Sequence, residues 1–127
     1  VISAVALIWI FASFKKEELH RIHGEHPACV FCGRQASEFH HCVGRGYKYG
    51  QGLQKEDRKI FSSVTNAIPL CRDCHQNCPL LEDRNMQRAL LGLSRKIITN
   101  AILKGEYTLT ENDTEFLEWC DREIYGL

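Results

Sequence analysis

Cys29-Val-Phe-Cys32-Gly33 and Cys71-Arg-Asp-Cys74 are two thiol pairs whose spacing lets a tight turn point both sulfurs of each pair the same way. Gly33 suits the turn beneath the first pair, because glycine adopts backbone conformations that other residues avoid. Two such knuckles can surround a tetrahedral zinc ion, and four thiolate ligands leave it no open position, so the ion they hold would be structural and not catalytic. The interval between the pairs exceeds that of a compact zinc ribbon: 38 residues separate Cys32 from Cys71. Something is therefore inserted between the knuckles. The insert carries the adjacent histidines His40 and His41 and the asparagine Asn66, and His75 directly follows the fourth cysteine.

A neutral imidazole, with a pKa near ~6.5, can either take a proton at physiological pH or ligate a divalent ion. Neighbouring residues on a strand point to opposite faces. If residues 38–43 form a strand, His40 and His41 diverge, and one ligand plus one base is the natural division. Each residue also has a plainer reading. Free thiols would account for the cysteines, core packing or exposure for the histidine pair, a turn for Asn66, and a seat beside the structural zinc for His75. Glu38 falls on the face of His40, where it would be either a hydrogen-bonding partner of that histidine or a solvated surface residue.

The run CxxCG, then EFHHC, then TNAIPLCRDCH resembles the HNH endonuclease family in its version with four zinc-binding cysteines, over roughly residues 28–78. The resemblance implies a ββα-metal core with a histidine pair on the first strand, the asparagine on the following connection and the last histidine on the helix. It implies that His40 and His75 bind a catalytic divalent ion (Mg, Mn, Ni or Zn), that His41 is the general base, and that Asn66 fixes the backbone that orients it. Cys29, Cys32, Cys71 and Cys74 would hold the structural zinc. The activity implied is metal-dependent hydrolysis of phosphodiester bonds, in DNA rather than RNA. That reaction needs a deprotonated water in line with the leaving oxygen and positive charge on the phosphate, and two imidazoles leave most positions of an ion open for oxygen ligands. Two departures stand out. Cys42 occupies a position where an aliphatic residue commonly follows the base, and Cys78-Pro79 stands where some members carry a further His or Asn, so a third protein ligand is missing.

After the histidine pair, residues 44–52 mix glycines with Arg45, Tyr47, Lys48 and Tyr49. This is the composition of an element that drapes along a phosphate backbone and stacks on bases. Arg45 is the candidate for gripping a phosphate, since a guanidinium can hold two oxygens. The charge distribution agrees with such a face. The formal net charge is zero, yet residues 1–105 hold 15 Lys and Arg against 9 Asp and Glu, while residues 106–127 hold 1 against 7. Local potential, and not the total, steers a polyanion.

The elements that must position these groups are short, as befits 127 residues and one domain. The expected organisation is an α+β fold in three parts: an apolar N-terminal segment and short helix over 1–27, the zinc-stapled core over 28–80, and a helical extension over 81–127. Residues 15–23 read as a helix ending at Gly24. A strand through Glu38–Val43, a second near Ile60–Thr65, a turn at 66–70 and a helix from about Cys71 follow. Met86, Leu90, Leu93, Ile97, Ala101 and Ile102 recur at helical steps, with a break conceivable at Gly92. A last helix is expected to start at Thr110 and to bury Phe116, Leu117, Cys120 and Ile124. Seven cysteines, an odd number, argue against a fully paired disulfide framework and for a reducing compartment, the cytoplasm. The first fourteen residues are almost continuously apolar but too short to span a bilayer. A partner-facing or packed element, a little-structured extension and a truncated anchor are the three readings of that run, and a protein partner or neighbouring domain could use it.

Overall fold

The structure is a computed structural model that describes residues 14–44, 57–81 and 83–127. It is an α+β arrangement. Helix α1 spans Lys16–His23 and is followed by strand β1 (Glu38–His41). Two 3-10 turns at Asp57–Ser62 and Val64–Asn66 lead into strand β2 (Ala67–Leu70), then helices α2 (Arg72–Asn77), α3 (Arg84–Leu103) and α4 (Glu111–Glu123). β1 and β2 pair antiparallel, with Glu38 opposite Leu70, His40 opposite Ile68 and His41 opposite Ala67.

The second strand lies later than the sequence suggests. Ile60–Thr65 has the β-branched and aromatic content of a strand, but it forms 3-10 turns, because local side chains satisfy its backbone. Ser63 caps the second turn by accepting from the Thr65 N–H. The Asn66 side chain takes up the Phe61 carbonyl at 2.9 Å. The segment expected to turn, 66–70, supplies β2 instead, even though it contains Pro69. Proline is tolerated because its backbone faces away from β1: its carbonyl accepts from Val30 of the first knuckle at 3.2 Å, while the Leu70 carbonyl, facing the other way, accepts from Ser37 at 3.0 Å. All four residues of β2 are buried.

The helical expectations hold in type and bounds, with changes in phase. α1 ends at Gly24, whose φ of 78° stops the helix. α3 runs unbroken through Gly92, and its core stripe is Leu90, Leu91, Ser94, Ile98 and Ala101. Met86, Leu93 and Ile97 only border the core, and Ile102 is exposed. α4 starts at Thr110 with a reciprocal capping box to Asp113. It buries Phe116, Cys120 and Ile124 as expected and Trp119 in addition, with Leu117 only partly covered. Trp119 and Phe116 pack edge-on against Phe61 at 4.9 and 6.1 Å between ring centroids. Cys42 and Cys120 both lie in this core as buried thiols; burial pushes Cys120 up to about 12 and raises Cys42 as well.

A buried polar network ties the C-terminal helices to the turn that precedes β2. Asp113 is 1% exposed and accepts from Ser63 Oγ at 2.6 Å, from the Thr110 N–H at 3.0 Å and from the Tyr107 hydroxyl. Ser94 Oγ donates to the carbonyls of Thr65 and Ala67, on either side of Asn66. Asp113→Ala leaves several buried donors without an acceptor, and such groups cost about 1–3 kcal/mol each. We expect this variant to lose about 3 kcal/mol or more in denaturant unfolding, and a midpoint equal to wild type would contradict the network's role.

Candidate metal centres and the histidine cluster

The first knuckle is a small hairpin. Cys29 N–H donates to the Arg34 carbonyl at 2.7 Å, Gly33 N–H to the Cys29 carbonyl at 2.9 Å, and Ala28 bridges to Gln35. Gly33 takes φ 80°, the conformation expected of it. The second knuckle is the start of α2, where Cys71 is the N-cap and its sulfur accepts from the Cys74 N–H. β2 carries Cys71 to the first knuckle through the Val30–Pro69 and Ser37–Leu70 hydrogen bonds.

The four sulfurs of Cys29, Cys32, Cys71 and Cys74 lie within 4.8 Å of one another, and those of Cys32 and Cys71 are 3.6 Å apart. Four thiolates at ~2.3 Å from one zinc ion have sulfurs about 3.8 Å apart. The cluster therefore fits a structural zinc site. Its electrostatics favour thiolates at the inner end. Burial opposes ionisation of Cys29, but the N–H groups of Cys71, Cys32 and Phe31 outweigh it and bring the thiol to about 6. Cys32 is lowered by the backbone and side chain of Arg34. Cys74, donating to Cys71 and partly desolvated, is pushed up to about 12, so loading a metal here displaces protons.

The histidines occupy the other end of the same elements. His40 Nδ1 and His75 Nε2 are 3.3 Å apart, with the rings edge to face at 5.1 Å. β1 presents His40 and α2 presents His75, and the short β2–α2 connection through Cys71 brings the two elements together. Glu38, two residues before His40 on the same strand face, takes neither place the sequence left open, a partner of His40 or a solvated surface residue. Its Oε1 sits 2.6 Å from His75 Nδ1. A carboxylate only accepts, so Nδ1 carries the hydrogen and the Nε2 lone pair is directed at His40. The other Glu38 oxygen is 3.4 Å from the exposed Arg72 guanidinium. Burial, and secondarily the proximity of the His75 ring, lowers His40 to about 4, so it is neutral at physiological pH. Among the described residues, His40 Nε2 is buried without a hydrogen-bond partner.

His41 points to the opposite face of β1, as alternation requires. There its ring stacks on Phe14, with centroids 4.2 Å apart and an interplanar angle of 23°, and its Nε2 is shielded from solvent. Phe39, two residues earlier on that face, packs against His23 of α1 at 5.0 Å, and burial lowers His23 to about 4.

Asn66 is fully buried and spans the connection. Its Oδ1 accepts from the Val43 N–H at 2.8 Å, its Nδ2 donates to the carbonyls of Val43 and Phe61, and its own carbonyl accepts from Cys42 N–H at 2.9 Å. The residues immediately after His41 are thereby tied to the turn before β2. Arg45, Tyr47, Lys48 and Tyr49, candidates for nucleic-acid contact, and the apolar run over 1–13 lie outside the described residues.

The histidine pair and carboxylate fit a divalent ion by their donor chemistry. Two facing imidazole nitrogens 3.3 Å apart can both ligate one ion at ~2.0–2.1 Å, and a carboxylate on the far ring nitrogen is the usual support for a ligating histidine. Cys78 and Pro79 supply no third imidazole, as the sequence indicates. Phe14 and the Glu38–His75 contact were not legible in sequence as site features. The first is one of three aromatics in an apolar run, with Trp9 and Phe11, and nothing in the run singles it out; the second depends on where α2 packs.

Comparison with known protein families, with curated proteins and with solved structures finds no match to this chain. Among the described residues, no helix is long and apolar enough to cross a membrane.

Proposed function

We propose that this chain is a metal-dependent endonuclease of the HNH type that hydrolyses phosphodiester bonds in DNA, with the four cysteines holding a structural zinc. The observation that carries this reading is the line Glu38–His75–His40: a carboxylate on one imidazole nitrogen and a second imidazole facing the other, beside a separate four-sulfur cluster. A purely zinc-stapled module has no need of it.

In this reading His40 and His75 hold the divalent ion, which when bound supplies positive charge to the phosphate and to the leaving oxygen. His41 accepts a proton from water as the water oxygen bonds to phosphorus. The phosphorus–oxygen ester bond then breaks, and the leaving oxygen takes a proton from solvent. Asn66 holds the chain after His41 in place, so that the base sits at a fixed position relative to His40. Arg45 is assigned the neighbouring phosphate.

Glu38 fixes the His75 ring in the orientation that frees Nε2. In Glu38→Gln an amide replaces the acceptor-only carboxylate, and the affinity of zinc-loaded protein for a second divalent ion is expected to fall about 10- to 100-fold. Titration with Ni or Co, followed by absorbance, measures this, and an unchanged affinity would contradict it.

A second reading, a zinc-stabilised nucleic-acid-binding or protein-interaction module without catalysis, is favoured by the seat of His41. Its ring is covered on one face by Phe14 and its Nε2 is shielded from solvent. Plasmid cleavage by zinc-loaded protein across Mg, Mn, Ni and Zn, with His41→Ala as the control, separates the two. Nicking that depends on His41 supports the nuclease; no cleavage under any ion supports the module.

A further inference from the structure

From the unequal exposure of the four clustered cysteines, we propose that Cys32 is a modification site: a small hydroperoxide oxidises its sulfur, Cys71 then closes a disulfide with it, and the zinc is released. The inference goes beyond the nuclease reading and does not rest on it. It needs only the four-sulfur cluster and its ion.

Cys29 is 3% exposed and Cys71 8%, and Cys74 is half-buried, which leaves Cys32 as the exposed member of the four. A small oxidant in solution therefore meets Cys32 first. Arg34, itself exposed, sets its backbone N–H and its guanidinium against the Cys32 sulfur. When a thiolate attacks hydrogen peroxide, an S–O bond forms, the O–O bond breaks and hydroxide leaves. A cation beside the attacking sulfur stabilises the charge that gathers on the departing oxygen. Sulfur gives up the two electrons that the peroxide takes, and the product is a sulfenic acid. The resolving thiolate is already in contact, with Cys71 Sγ 3.6 Å from Cys32 Sγ. Its attack forms the S–S bond, breaks the S–O bond and expels a second hydroxide. Two solvent protons turn the two hydroxides into water. The disulfide sulfurs are no longer thiolate ligands, so the ion is left with Cys29 and Cys74 and is lost. Cys71 also caps α2 directly after β2, so the release reaches the elements that carry His40 and His75.

The test treats the full-length zinc-loaded protein with hydrogen peroxide and follows zinc release with a chromogenic chelator, while alkylation and mass spectrometry map which thiols are lost and which disulfide forms. Zinc is expected to leave in step with the loss of the Cys32 and Cys71 thiols, as one Cys32–Cys71 disulfide, and to return when a dithiol reductant and zinc are added. Arg34→Gln removes the cation at an exposed position that is not a ligand. It should start with the same zinc content and release it about two- to fivefold more slowly, the range expected of a charge contact at the surface. A first disulfide between Cys29 and Cys32, or first oxidation at Cys74, overturns the proposal, as does equal release by Arg34→Gln and wild type. Zinc that stays bound after Cys32 is oxidised also overturns it, and so does a wild-type protein that takes up no zinc. Plasmid cleavage plays no part in the readout, so failure of the nuclease reading leaves the result intact.

Discussion

Cys71→Ala protein, or wild-type protein stripped of metal by a chelator, is expected to lose its cooperative thermal transition. Cys71 is at once a candidate zinc ligand, the N-cap of α2 and the residue after β2, so its sulfur links the sheet, the helix and the first knuckle. A structural zinc contributes about 10–16 kcal/mol of apparent binding free energy in small zinc-held peptides. A whole domain is stable by only about 5–15 kcal/mol. Here the dependence should be strong because β1 and β2 are four residues each and α2 only six. None of these persists alone. α3, at twenty residues, and α4 with its capping box should keep residual helical signal after the sheet is lost. Circular dichroism on heating, with zinc content by elemental analysis, checks this. An unchanged transition after complete zinc removal would show that the apolar core suffices.

The four-cysteine cluster was legible in sequence because the spacing within each pair is local. Two CxxC pairs announce a shared ion, and adjacent histidines on a strand must diverge, which the sheet bears out for His40 and His41. Helix α4 was legible from Thr110 and its apolar period. The strand after the insert was not. Ile60–Thr65 carries the strand-forming residue types, and Pro69 speaks against Ala67–Leu70. The outcome turned on which backbone groups found partners: Asn66 and Ser63 satisfied the first segment locally, while the knuckle and β1 together paired the second. Glu38 shows the same limit. Its place on the strand face of His40 was readable, but which histidine it reaches is decided by the packing of α2. Phe14, Trp119 and Asp113 gained their roles only through residues distant in sequence.

The other large effect expected is on catalysis. If His41 is the general base of the proposed nuclease, His41→Ala removes a proton acceptor, and general bases contribute about 10²–10⁴-fold in rate, or roughly 3–5 kcal/mol of barrier. It should leave the metal sites intact, because His41 lies on the opposite strand face from Glu38, His40 and His75. His40→Ala and His75→Ala should behave differently. Each is expected to weaken binding of the second ion itself, so rising ion concentration would restore part of their activity, whereas no ion concentration restores His41→Ala. This contrast separates the proton's path from the ion's seat.

The most direct test of the account is the initial rate of supercoiled plasmid nicking by zinc-loaded wild-type and His41→Ala protein at saturating divalent ion. The account predicts ion-dependent nicking by wild type and a loss of about 10²-fold or more in the variant, with zinc content and second-ion affinity unchanged. Equal nicking by the two proteins would contradict it.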